Sequence, residues 1–127
     1  MTDQMTRPWA EIVSWYRECV DAGIPLKGML RLVEQIEASL YIRALHAWTS
    51  MHDLCVAQEL RSHGPYDGPY LRISPLFDGT IDFRYIDTYI ESRQWQRVVK
   101  EDDAFQRLER FIDQLHWFAQ EKPRDLA

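Results

Sequence analysis

The chain has two cysteines, five scattered glycines, no apolar run of membrane-crossing length and no excess of basic residues. Each shortage removes a class of function. Cys19 and Cys55 lie far apart in sequence, each among apolar neighbours, and read as buried thiols rather than a disulfide framework or a metal clamp. The glycines never cluster into a phosphate-cradling loop, and neither a nucleophile elbow nor a dinucleotide fingerprint is present. No stretch approaches the roughly 18 apolar residues of a membrane helix, and MTDQMTRPWAE lacks the basic start and apolar run of an export signal. A cytoplasmic location without membrane contact is therefore expected. Lys and Arg number 15 against 20 Asp and Glu, a net charge of −5. Nucleic acid is not an expected partner, because phosphate contacts need a basic footprint.

What is present is the composition of one globular domain spanning residues 1–127, with 46% hydrophobic and 28% charged residues. The stretch YLRISPLFDGTIDFRYID, Tyr70 to Asp87, anchors the reading. Asp78-Gly79 sits between two alternating runs rich in branched and aromatic residues, a strong hairpin signal. A two-residue turn would scramble both faces. A Phe77-Asp78-Gly79 loop, with Gly79 left-handed, instead sets Leu71 opposite Tyr85, Ile73 opposite Phe83 and Pro75 opposite Ile81 on one apolar face. The other face carries Tyr70, Arg72, Ser74, Thr80, Asp82 and Arg84, with Asp82 between the two arginines, and is expected to be polar and solvent-facing.

Before the hairpin, Trp9, Ile12, Val13, Tyr16 and Val20 recur at helical spacing, with Pro8 in the first turn, Glu11 near the N-terminal dipole and Gly23-Ile24-Pro25 as a stop; the helix is expected over 8–22. Pro25 then starts a second helix with Leu26, Met29, Leu30, Val33, Ile36 and Leu40 on one side, completing an N-terminal helical hairpin. Residues 39–60 fit either a helix (Ala44, Trp48, Met51 and Cys55 aligned) or two strands, with Leu40, Ile42, Ala44, His46 and Trp48 alternating and Thr49 to Asp53 as the break; the strands are preferred. Arg61 to Pro69 reads as a loop, and Gln94 to Val99 as a short edge strand. A last helix is capped by Asp102 or Asp103, presents Ala104, Phe105, Leu108, Phe111, Ile112, Leu115, Phe118 and Ala119, and stops at Pro123. The expected fold class is α+β: two layers, an antiparallel β-meander of about four strands covered by a long C-terminal helix, with the helical hairpin at the N-terminus.

Candidate chemistry is sparse. His46, His52 and Asp53 match no zinc spacing, and Ser50, His52 and Asp53 lie too close in sequence to converge as a triad, so no catalytic residue, metal or cofactor is expected. Arg93, Trp95 and Arg97 alternate in SRQWQRVV and suit an anion or a single strand of nucleic acid, but neighbouring Glu91, Glu101, Asp102 and Asp103 can neutralise them. Two tryptophans stand out of phase with their helices. Trp117 falls almost opposite the apolar stripe, among Gln106, Arg110, Asp113 and Gln120, and Trp15 lies at the edge of its own stripe. An exposed tryptophan is a frequent interface anchor, although the helical hairpin or the C-terminal tail is an alternative cover for Trp117. The candidate contact residues are thus Trp117, Trp15, Asp113, Arg110 and Trp95. Together these readings favour a non-enzymatic module that binds another protein, a basic one, or a second copy of itself, as bacterial toxin-immunity proteins and secretion or effector chaperones bind their clients. The alternative is a small-molecule-binding or hydrolytic domain using His46, His52 and Asp53.

Overall fold

The computed structural model describes residues 6–58, 69–87 and 90–117. Among them the chain runs through helix α1 (Trp9–Asp21), helix α2 (Lys27–Glu37), a short 3-10 turn (Leu40–Arg43), and strands β1 (His46–Ser50), β2 (Asp53–Ala57), β3 (Tyr70–Pro75) and β4 (Thr80–Ile86). Strand β5 (Trp95–Lys100) and helix α3 (Ala104–Gln114) complete it. The strands form one antiparallel meander in the order β1-β2-β3-β4-β5. The class is α+β, but the sheet has five strands rather than about four, because the edge segment near Trp95 pairs with β4 along its whole length.

The central hairpin has the register its alternation predicts: Leu71 opposite Tyr85, Ile73 opposite Phe83 and Pro75 opposite Ile81. Leu76 N–H reaches Thr80 O at 3.1 Å, which closes a three-residue loop, and Gly79 takes φ 89°. In the contested region the chain takes two strands, but they begin at His46 rather than Leu40. Ser39 caps a 3-10 turn there by accepting from Tyr41 N–H at 3.1 Å, and so draws Leu40–Arg43 out of the extended run.

All three helices cover the same face of the sheet and share one apolar core with Leu54, Val56, Leu71, Ile73, Ile81 and Phe83. A five-stranded sheet is roughly 20 Å wide and one helix covers about 10 Å, so a single C-terminal helix cannot close it. α3 takes the β4–β5 side, with Phe111 stacked on Phe83 at 5.3 Å and edge-on to Trp95 at 4.0 Å. α1 runs along β1: Trp9 Nε1 donates to Leu45 O at 3.1 Å and Tyr16 Oη to His52 O at 2.9 Å. The helix limits also differ from expectation. α2 starts two residues after Pro25 and ends before Leu40. Asp103 makes no side-chain cap on α3, and Asp102 pairs with Arg31 instead.

Two helices end in the same way, and only one announces it. At α1, Gly23 at φ 91° lets Gly23 N–H reach Val20 O and Ile24 N–H reach Cys19 O, both at 3.0 Å. This is the left-handed cap with an apolar residue folding back beyond it. At α3 the left-handed position is His116, φ 57°, and Trp117 N–H reaches Ile112 O at 3.0 Å. The expected exposure of Trp117 is thereby overturned. The 100° step fails once the backbone reverses hand, and Trp117 folds back into the core, 3% exposed and edge-on to Tyr85 at 6.4 Å. Burial raises the Tyr85 pKa, partly offset by a side-chain hydrogen bond with Trp117. Phe118, Ala119 and Pro123, and most of the loop read at 61–69, lie outside the described residues.

The second face of the sheet is not the polar, solvent-facing surface its β3–β4 half suggests. The strand reading of β1 and β2 brings Trp48 and Cys55 onto that face beside Tyr70, and these with Ala57 form a second buried cluster. Asp82 is itself buried and accepts from Gln96 at 2.9 Å rather than bridging two arginines. Arg72 instead donates to Asp53 at 2.6 Å and to Ser50 at 3.4 Å.

Candidate binding surface

The β1–β2 and β3–β4 loops lie at the same end of the meander, and both break the usual rule for tight turns. In the first, Ser50 pairs with Asp53 and only Met51 and His52 connect them. A two-residue hairpin loop needs positive φ at one or both central positions, normally supplied by glycine or asparagine. Met51 supplies it at φ 57° while its side chain stands 84% exposed. In the second loop Phe77 takes φ 62° and is 53% exposed, beside Leu76 at 43%. A left-handed backbone costs a residue with a Cβ about 1–2 kcal/mol, and neither Met51 nor Phe77 recovers that by full burial. Strain of this kind collects at functional sites.

The two tips are joined by His52. Its ring lies 6.0 Å from Phe77, edge-on, and 6.0 Å from Trp15 of α1. Trp15 is half-buried and stacks edge-on against Tyr16 at 4.9 Å. The Tyr16 hydroxyl, whose pKa is driven upward chiefly by burial, is held as a donor to His52 O and so fixes the β1–β2 loop to α1. On either side of this aromatic line the surface is concave. One groove runs past Trp15, Glu11, Glu18 and Thr49; another runs between Phe77, Val20, Ile24 and Pro25. The result is an apolar end of Met51, Leu76, Phe77 and Trp15, with Asp78 at the hairpin tip and with Glu11, Glu18 and Glu101 lining its grooves alongside Arg7 and Lys27. Hydrogen bonds from the Thr80 hydroxyl and N–H hold the Asp78 carboxyl below its usual pKa.

The other sequence candidates fall elsewhere. His46 and His52 stand at opposite ends of β1, and the Asp53 carboxylate is engaged by Arg72. The geometry does not bring these three side chains together, and among the described residues no group of three potential metal ligands assembles. Trp117 is buried, whereas Arg110 and Asp113 are exposed on α3. Trp95 is half-buried against Phe111 at the far edge of the sheet. Of the five candidate contact residues, only Trp15 belongs to the apolar end. Leu76 and Phe77 escape a reading by periodicity because loops have none, Met51 falls in phase only with a helix that residues 46–57 do not form, and Leu76-Phe77 beside Asp78-Gly79 is the one available signal: two large apolar residues where a loop is usually polar.

Cys55 is fully buried and burial pushes its thiol up to about 12; Cys19 is also buried and shifted upward. Neither is poised as a nucleophile. No helix among the described residues is long and apolar enough to cross a membrane. No protein-family model, curated protein or solved structure matches the chain.

Proposed function

We propose that this chain is a non-enzymatic protein-binding module whose contact surface is the apolar end formed by Met51, Leu76, Phe77 and Trp15. The observation that carries the reading is the coincidence of strain and exposure. Met51 and Phe77 are held left-handed without glycine, and both project apolar side chains into solvent. Stability alone would favour glycine or asparagine at each position. A binding partner that buries the side chains gives them a use, and a contiguous exposed apolar patch with a polar rim is the usual form of such a site. On the rim the carboxylates of Glu11, Glu18, Asp78 and Glu101 outnumber the bases Arg7 and Lys27, which favours a partner that presents an apolar plug surrounded by Lys or Arg. A neutralising or escorting role toward a basic client, of the immunity-protein or effector-chaperone kind, fits that chemistry.

The test is affinity purification from the native host with wild type and the Met51→Gly/Phe77→Gly double variant, followed by titration of the recovered partner. Loss of two central contacts should weaken binding by roughly 30-fold or more, the size of an interface hot spot. A partner bound equally well by both proteins would reject this end as the contact surface.

A further inference from the structure

Among the described residues strand β5 is the last strand of the meander and has one neighbour, β4. Glu101 N–H donates to Gly79 O at 3.1 Å, and Val99 lies opposite Ile81 and Arg97 opposite Phe83. That sets the phase of the ladder. Trp95, Arg97 and Val99 turn their backbone groups toward β4, and Gln96 and Val98 turn theirs outward. Among the described residues no strand pairs with this edge, and Val98 is 47% exposed. The strand holds no proline, the simplest device for closing an edge.

The charge beside the edge is the reverse of the charge on the whole chain. Arg97 lies opposite Phe83, on the sheet face that α3 covers with Arg107 and Arg110, and no carboxylate among the described residues pairs with any of the three. Arg107 is 8% exposed, its guanidinium lies 4.5 Å from the Phe111 ring and 5.7 Å from Trp95, and it donates to Gln114 Oε1 at 2.8 Å while its Nε has no partner. Burial and the positive charges of Arg97 and Arg110 lower the Arg107 pKa. Of the four acids expected to neutralise this region, Asp102 is engaged by Arg31 at 3.0 Å. Three arginines without a counter-ion among the described residues also discourage pairing between two copies of this edge, because each copy would bring the same charges.

We infer that β5 accepts an extended acidic segment of a partner protein by strand addition, its carboxylates on the α3 side against Arg97 and Arg110 and its alternate apolar side chains beside Val98. Backbone hydrogen bonds to Gln96 and Val98 supply the docking, and side-chain alternation supplies the choice of sequence. This surface is separate from the apolar end, so either can fail without the other.

The probe is a blocked peptide of roughly seven residues, the length of a strand, alternating Asp or Glu with Val. It is titrated into the full chain beside a peptide with Lys in place of the acids and an acidic peptide N-methylated on one edge. Binding of the acidic peptide, loss of binding by about 10-fold or more on N-methylation, and slowed hydrogen exchange at the Gln96 and Val98 amides are expected. Val98→Pro removes an outward donor without breaking a bond to β4 and should weaken the acidic peptide by a similar factor, its circular dichroism confirming the fold. The inference is overturned if the acidic peptide does not bind at about 1 mM, if the N-methylated or lysine peptide binds as well, or if wild type dimerises with protection of the same amides. The N-methylation arm uses wild-type protein, so a misfolded Val98→Pro leaves the test intact.

Discussion

Replacing Met51 with glycine should stabilise the chain while removing part of its contact surface. Relief of the left-handed backbone at φ 57° recovers about 1–2 kcal/mol. Against that, glycine gives the unfolded chain more freedom, worth about 0.4–1 kcal/mol. The side chain is 84% exposed, so the burial lost is a small fraction of the roughly 1.5–3 kcal/mol a buried methionine contributes. The net expectation is a gain of about 0.5 kcal/mol, a rise in melting temperature of about 2 °C for a domain of this size. His116 provides the comparison: it is exposed and left-handed at φ 57°, and it lies at the end of α3, away from the hairpin tips. His116→Gly should give a similar gain and leave partner binding unchanged, whereas Met51→Gly should gain stability and lose affinity. Urea unfolding followed by tryptophan fluorescence measures the first quantity, and titration with the partner the second. A Met51→Gly variant destabilised by more than about 0.5 kcal/mol would refute the reasoning, because it would mean that the methionine side chain is held by contacts its exposure does not reveal.

Trp117→Ala should destabilise the fold by about 3–5 kcal/mol, as deletion of a buried aromatic does; thermal or urea unfolding that leaves the midpoint unchanged would contradict the burial described for it. Gly79→Ala should destabilise by about 1 kcal/mol through its positive φ alone, since a Cβ there meets no atom within 4 Å, and urea unfolding checks it. Cys19 and Cys55 should resist alkylation in the native state at neutral pH and react fully in denaturant, as mass spectrometry of iodoacetamide-treated protein will report; burial disfavours both thiolates. The Asp78 carboxyl titrates below its usual range in the folded chain, so its contribution is present above the unfolded pKa of about 4 and is lost as pH falls through the lower folded value. The stability difference between wild type and Asp78→Asn should therefore shrink in acid unfolding below that pH.

Where glycine marks a reversal of backbone hand, the sequence was legible to the residue. Gly23 ends α1 where a stop is readable, and Gly79 fixes the register of the whole β3–β4 pair. Where another residue does glycine's work, legibility ends. His116 hides the close of α3, so continuing the helical step misplaced Trp117 on an outer face. Met51 hides a two-residue loop, which left Thr49 to Asp53 as a vague polar break between strands. The coverage of the sheet was misjudged for a different reason: strand number decides how many helices are needed, and β5 carries charged and apolar residues on both faces with little burial, so alternation is weak there. Apart from Trp15 of α1, the apolar end lies in loops, where neither period applies. The same substitutions that defeat pattern reading, Met51 and Phe77 at positions suited to glycine, are the features that point to a site.

Met51, Leu76, Phe77 and Trp15 are exposed or half-buried at the hairpin-tip end, the surface proposed to meet another protein. Site-specific photo-crosslinking in the native host tests that contact most directly, with the reactive side chain placed at Met51 and, as control, at Ile42, which is exposed in the 3-10 turn preceding β1. One discrete adduct formed from position 51, absent from position 42 and abolished by Phe77→Gly, is the predicted result. Equal or absent adducts at both positions would contradict it.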